Sequence, residues 1–190
     1  GVLRTIVLVA AIGSISSAGD AFAVANQLPN NIYAIISTGL LTAVVVPQIV
    51  KAAAHADGGQ AFISKLFTLG TVGLLGATAL AMIAAPLLVH VYAGKFTDDQ
   101  LALSTAFAYW CLPQIFFYGL YALLGEILNA RRVFGPYTWA PIVNNIVSIA
   151  GFGAFILLFG GQQVRVDAWT PSMIAVLAAT ATGGIVVQTA

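Results

Sequence analysis

The sequence predicts an all-α, polytopic bundle of membrane-spanning helices, and three observations carry that prediction. Hydrophobic residues make up 60% of the chain and charged residues only 7%, and the mean hydropathy of +0.98 is too high for a soluble domain. Several apolar runs approach or exceed the roughly 20 residues that a helix needs to cross a bilayer, and short polar breaks divide them. One of these runs carries amides that lipid would not tolerate, so the bundle needs a polar interior. The net charge of +1 and the lack of any basic tract give no sign of a nucleic-acid partner. Cys111 is the single cysteine and cannot form an internal disulfide. The chain starts and stops inside apolar stretches without a targeting sequence, and reads as a fragment of a larger membrane protein truncated at both ends.

Residues 1–12 read as the second half of a spanning helix, with Arg4 inside it. A Ser- and Gly-rich turn at Gly13–Gly19 follows. The second helix is placed at about 20–50, ending near Pro47–Lys51, and a polar link from His55 to Gln60 comes after it. The third runs from about Phe62 to Tyr92, and the Gly94–Asp99 turn offers Thr97 or Asp98 as N-cap for the fourth. That fourth helix covers about 98–129 with a break at Pro113, and Arg131-Arg132 closes it. A fifth is placed at 134–159, with Pro136 and Pro141 near its start; a polar link containing Arg165, Asp167 and Trp169 leads to a partial sixth at 172–190. The whole is one transmembrane bundle. Small residues at Gly70, Gly73 and Gly76 read as a helix-packing face.

Short-loop Lys and Arg residues set the orientation. The links after the second and fourth helices carry Lys51, Lys65, Arg131 and Arg132, against Lys95 and Arg165 after the third and fifth. The first set is therefore placed in the cytoplasm. Tyr92, Trp110, Tyr137 and Trp169 lie near helix ends, where interface anchors collect.

The second helix is the informative one. At 100° per residue, Asp20, Gln27, Asn31 and Thr38 fall close to one line, and Asn26, Asn30, Tyr33 and Ser37 on the next. Ala21, Ala25, Leu28, Ile32, Ile35 and Ile36 take the opposite side, and Pro29 interrupts the hydrogen-bond ladder. Polar groups at membrane depth face a bundle interior or a water-filled cavity, so this helix is read as a cavity wall. Arg4 offers a bidentate fork to a phosphate, or else snorkels to the interface. Asp20 is a helix N-cap, a gating or substrate group, or both. Glu126, the only glutamate, is a cavity proton carrier or partner of Arg4, or a helix-end acid at the cytoplasmic interface. Asn144 and Asn145 read as hydrogen-bonding glue between helices, with Asn145 also counted among the cavity candidates. His55 and His90 are too isolated for a metal site. No nucleophile triad, phosphate loop or Cys/His cluster is present, so the chain reads as a non-enzyme without cofactor or metal.

Several strings resemble the MurJ (MviN) family. They are Gly1-Val-Leu-Arg4, Gly19-Asp20-Ala21-Phe22, Leu28-Pro29-Asn30 and Val46-Pro47, then Gly125-Glu126-Ile127-Leu128-Asn129-Ala130-Arg131 with Phe134, and Ala140-Pro141 with Asn144-Asn145-Ile146. The resemblance covers nearly the whole chain. It implies the first lobe of a two-lobed, MATE-like exporter of the MOP superfamily, in a bacterial plasma membrane. The family passes lipid II, the lipid-linked disaccharide-peptide of the cell wall, from the cytoplasmic to the outer leaflet by alternating access. Implied partners are lipid II, membrane lipids, the second lobe of the same chain and cell-wall synthesis or division proteins. By the same resemblance Arg4 meets the pyrophosphate. Ile32, Tyr33, Ala34 and Thr38 stand where the family carries an arginine pair and an acid, and Thr5 stands where many members carry an acid. These departures look like the actinobacterial branch, in which a pseudokinase-like region commonly follows the membrane part. Two other readings share the composition: a MATE-like exporter of drugs or polysaccharide-lipids, and a membrane scaffold for cell-wall enzymes.

Overall fold

The computed structural model describes residues 2–37, 60–130 and 135–190, and these are helical apart from short links. In chain order they form α1 (Val2–Ile12), α2 (Ser17–Ile36), α3 (Gln60–Ile83), α4 (Ala85–Tyr92), α5 (Asp98–Cys111), α6 (Gln114–Ala130), α7 (Gly135–Phe159), a 3-10 turn (Val166–Ala168) and α8 (Pro171–Thr189). Thr38, Gly39, the Pro47–Lys51 end expected for the second helix, the His55–Gly59 link, Arg131–Arg132 and Phe134 lie outside the described residues. Among the described residues four segments are long and apolar enough to cross a membrane: Ser64–Ile83, Asp98–Leu128, Thr138–Phe159 and Pro171–Thr189. α2 is not among them, because Asp20 and four amides dilute its apolar side. The outer surface is apolar, with Leu157 89% and Ile83 79% exposed. Such side chains need lipid, rather than water, as their solvent.

Local chemistry explains the helix ends. Ser16, rather than Asp20, is the N-cap of α2: its Oγ accepts from the Gly19 N–H at 2.9 Å. Asp20 sits in the first turn, where a carboxylate favours the positive end of the helix dipole. Thr97 caps α5 through a capping box with Gln100, as its position predicts. The expected third helix is two helices, broken after Ile83 with Pro86 in the first turn of α4, because proline has no N–H to continue the ladder. Pro113 separates α5 from α6 in the same way. Gly13 (φ +84°) and Gly160 (φ +81°) end α1 and α7 in the left-handed region that glycine adopts freely.

The links at 13–16, 93–97 and 160–170 gather at one end of the bundle. Gln100 Nε2 donates to the Ser17 carbonyl at 3.3 Å. The Gln162 and Gln163 N–H groups donate to the Ala10 and Ala11 carbonyls, each at 3.0 Å, so the 160–164 link caps the last turn of α1. Alternating up and down helices require this arrangement. Beneath the links lies an aromatic core: Phe107 meets Phe22 and Trp169 edge-on at 5.2 and 5.1 Å, and Trp169 stacks on Phe155 at 5.6 Å. Trp169 therefore packs the α7–α8 link onto α5. In the link itself Arg165 and Asp167 form an exposed ion pair, which holds the Asp167 carboxyl below its usual range.

α7 and α8 form the most intimate pair in the bundle. Asn144 Nδ2 donates to Gln188 Oε1 at 2.7 Å, and Ser148 Oγ donates to Asn144 Oδ1 at 3.3 Å. This closeness depends on Gly184, where a Cβ would lie 2.2 Å from Asn144 Oδ1. The expected glycine face behaves otherwise. Gly70 abuts Leu123, but a Cβ at Gly73 or Gly76 would meet nothing within 4 Å among the described residues. Regular spacing alone did not reveal which glycines bring two backbones together. In the full-length protein, Gly184→Leu lowers the unfolding midpoint in detergent, losing about 1–3 kcal/mol from overpacking, whereas Gly73→Leu stays within about 0.5 kcal/mol. Equal losses would contradict this assignment.

Candidate functional site

α2 has two unlike sides, and its neighbours sort them. Ala18, Ala21, Ala25 and Leu28 are fully buried, and Phe22 nearly so. Along this seam α2 packs closely on α5, where Ser104 Oγ donates to the Ala21 carbonyl at 2.9 Å. The other side cannot be buried against apolar helices without stranding its amides. It faces α1 across a gap, since α1 packs on α7 and barely touches α2.

That gap is a cleft of about 510 Å³. Arg4, Leu8, Val9 and Ile12 of α1 form one wall, and Asp20, Ala23, Asn26, Gln27 and Asn30 of α2 form the other, with Tyr118 of α6 closing one side. Gly13, Ser14 and Gly19 also line it, so the cleft reaches the α1–α2 link. Arg4 lies eight residues before Ile12, so its backbone sits about 12 Å deeper than that link. The cleft thus has an acid at the end near the α1–α2 link and a guanidinium toward the other end. Its described lining is dipolar. Arg4 and Asp20 do not pair with each other or with any other described residue.

Five of the eight candidate residues therefore come together: Arg4, Asp20, Asn26, Gln27 and Asn30. Asn31 is half-buried on α2 outside this lining. Glu126 is half-buried on α6, two turns beyond Tyr118, and likewise outside it. Asn145 turns back on its own helix, donating from Nδ2 to the Pro141 carbonyl at 2.8 Å. Asn144 bridges α7 and α8 through Gln188. Among the described residues no three His, Cys, Asp or Glu side chains converge on a metal-sized site.

Sequence reading missed Tyr118 and Gln114. Tyr118 packs on Tyr33, with ring centroids 5.7 Å apart, and its hydroxyl donates to Gln114 Oε1 at 3.4 Å. Gln114 is 1% exposed and lies behind the cleft wall. A glutamine directly after Pro113, deep in an apolar run, is the signal that would have found it.

The cleft can hold a polar group of modest size. It offers the five donors of a guanidinium, several amides and a phenol, with Asp20, Gln27 and Asn30 exposed. Spanning helices beside such a cleft define a multi-pass helical membrane protein. The chain belongs to the family described as Lipid II flippase MurJ, whose family model matches residues 8–190. It is a multi-pass protein of the bacterial inner membrane.

Three relatives are each named "Probable lipid II flippase MurJ". The chain is 29% identical over 163 residues to that of Rickettsia prowazekii (strain Madrid E), covering 84% of this chain and 31% of the relative. It is 28% identical over 166 residues to that of Haemophilus influenzae (strain ATCC 51907 / DSM 11121 / KW20 / Rd), covering 79% and 31% respectively. It is also 28% identical over 173 residues to that of Buchnera aphidicola subsp. Baizongia pistaciae (strain Bp), covering 89% and 33%. The chain thus spans about a third of the length of the curated relatives it matches.

A matched pair of substitutions in the full-length protein checks which side of α2 is open. Ala25→Leu, at a fully buried position, costs about 1–3 kcal/mol of stability by overpacking. Ala23→Leu, on the cleft side, changes stability by less than about 0.5 kcal/mol. Thermal unfolding in detergent gives both values, and the reverse order would place the cleft elsewhere.

Proposed function

We propose that this chain forms part of a lipid II flippase and that the α1–α2 cleft takes the polar head group of the lipid-linked precursor. The single observation that carries this reading is a guanidinium, Arg4, that has no ion-pair partner among the described residues and lines a polar cleft about 12 Å along α1 from the α1–α2 link. A charge in that position is costly unless it serves a ligand or a pathway. Its planar fork matches a phosphate, which the precursor carries as a pyrophosphate. Asn26, Gln27 and Asn30 add neutral hydrogen-bonding groups suited to sugar and peptide amides, and Asp20 near the α1–α2 link suits a cationic or donor-bearing group.

Flipping breaks no covalent bond, so the work asked of the protein is a hydrated path for the head group, a lateral opening for the acyl tail and two conformations of similar energy. The helix breaks at Pro86 and Pro113, and the prolines Pro29 and Pro141 inside α2 and α7, loosen the helices that surround the path. A second lobe of the same chain would supply the opposing wall of the path. A drug exporter has no use for a lone guanidinium at this depth, and a scaffold has no use for the cleft.

Arg4→Ala in the full-length protein abolishes growth of cells depleted of their own flippase, at unchanged membrane abundance. It weakens lipid II binding by roughly tenfold to a hundredfold, the range for losing hydrogen bonds from a charged donor. Arg4→Lys recovers part of the binding, because charge remains but the fork is gone. Normal growth of Arg4→Ala cells would overturn the reading.

A further inference from the structure

Gln114 lies outside the cleft, yet it is tied to its wall by every polar atom it owns. Its side-chain oxygen accepts from the Tyr118 hydroxyl at 3.4 Å. Its Nε2 donates to Asn26 Oδ1 at 3.3 Å and to Thr182 Oγ1 at 3.0 Å. Thr182 Oγ1 in turn donates to the Trp110 carbonyl at 2.7 Å, on the last turn before the Pro113 break. The helix break, α8 and the cleft wall thus share one polar chain, centred on the buried Gln114, with a fixed direction of donation.

That direction has a consequence for Asn26. With its oxygen engaged by Gln114, the amide of Asn26 is left to present its NH2 group to the cleft that it lines. Had Gln114 been an acceptor, Asn26 would turn over and present oxygen instead. We propose that Gln114 is a positioning residue that locks the Asn26 amide with its donors facing the cleft, making that wall selective for an acceptor-rich, anionic head group. The proposal rests on the flippase reading of the cleft and adds the residue that sets the polarity of its amide wall. Arg4 and Asn26 then act together as donors to one ligand, while Gln114 never touches it.

The experiment is a double-mutant comparison in the full-length protein, reading lipid II affinity in detergent. Gln114→Met in the native background weakens lipid II binding by about fivefold, the size of one oriented hydrogen bond. In an Asn26→Ala background the same substitution changes affinity by less than about twofold, because the group it orients is gone. Weakening by the same factor in both backgrounds would show a general structural role and overturn the proposal. Gln114→Glu keeps the shape with fewer donors, and it replaces Gln114→Met, with the same expected pattern, if the latter does not accumulate in membranes. Should the native protein not bind lipid II, the flippase reading fails, and inorganic pyrophosphate as probe carries the same comparison of backgrounds. Binding of neither probe overturns the proposal as well.

Discussion

Amide side chains at membrane depth must find hydrogen-bond partners, and this requirement on α2 shapes the rest of the bundle. Each buried polar group left without a partner costs on the order of 1–3 kcal/mol in a protein interior, and hydrocarbon offers no relief. α2 meets the constraint by splitting its surface. Ala18, Ala21, Ala25, Leu28 and Phe22 are buried, close against α5, and the amides are left for a cleft. The cleft exists only because α1 is held elsewhere. It packs along α7, and the 160–164 link donates to its last carbonyls, so it does not collapse onto α2. An apolar seam, a backbone clamp and a polar gap are thus parts of one solution.

The same logic governs the interior polar groups away from the cleft. Asn144, Ser148 and Gln188 satisfy one another across the α7–α8 seam, where Gly184 lets the backbones approach. Gln114 is satisfied at three positions behind the cleft wall. At the Pro113 break, hydroxyls of α8 take up nearby carbonyls: Thr182 bonds that of Trp110 and Thr189 that of Phe117. Proline breaks within a membrane helix are tolerated on this condition. The structure therefore combines loosened helices with few stranded polar atoms, as a protein with two conformations of similar energy requires.

Much of this was legible in the residues themselves, because the bilayer imposes simple rules. Apolar runs of spanning length marked the helices, and the turn before α5 offered Thr97 or Asp98 as its cap. The spacing of Asp20, Gln27 and Asn31, with Asn26 and Asn30 on the neighbouring line, gave α2 a polar side, of which Asn31 lies outside the cleft lining. What stayed hidden depended on partners distant in sequence. Ser16 took the cap role from Asp20 because its hydroxyl, three residues before Gly19, reaches that N–H. The break at Pro86 was hidden inside an uninterrupted apolar run. The Gly70–Gly76 spacing suggested close packing, yet of these only Gly70 meets a neighbour, and tighter contacts lie at Gly119, Gly151 and Gly184, since only the facing helix decides which glycine is needed. Gln114 and Tyr118 gained their meaning from α2, some ninety positions earlier in the chain.

The whole account stands on water reaching the amide side of α2 within the bilayer. Spin labels attached to single cysteines in the full-length protein, reconstituted in liposomes, test this through collision with oxygen, which concentrates in lipid, and with a water-soluble nickel chelate. A label at Gln27→Cys should collide mainly with the nickel chelate, and one at Leu157→Cys, 89% exposed on the outer surface, mainly with oxygen. A Gln27 label that collides mainly with oxygen would put the amides against acyl chains, and the polar cleft would not exist in the membrane.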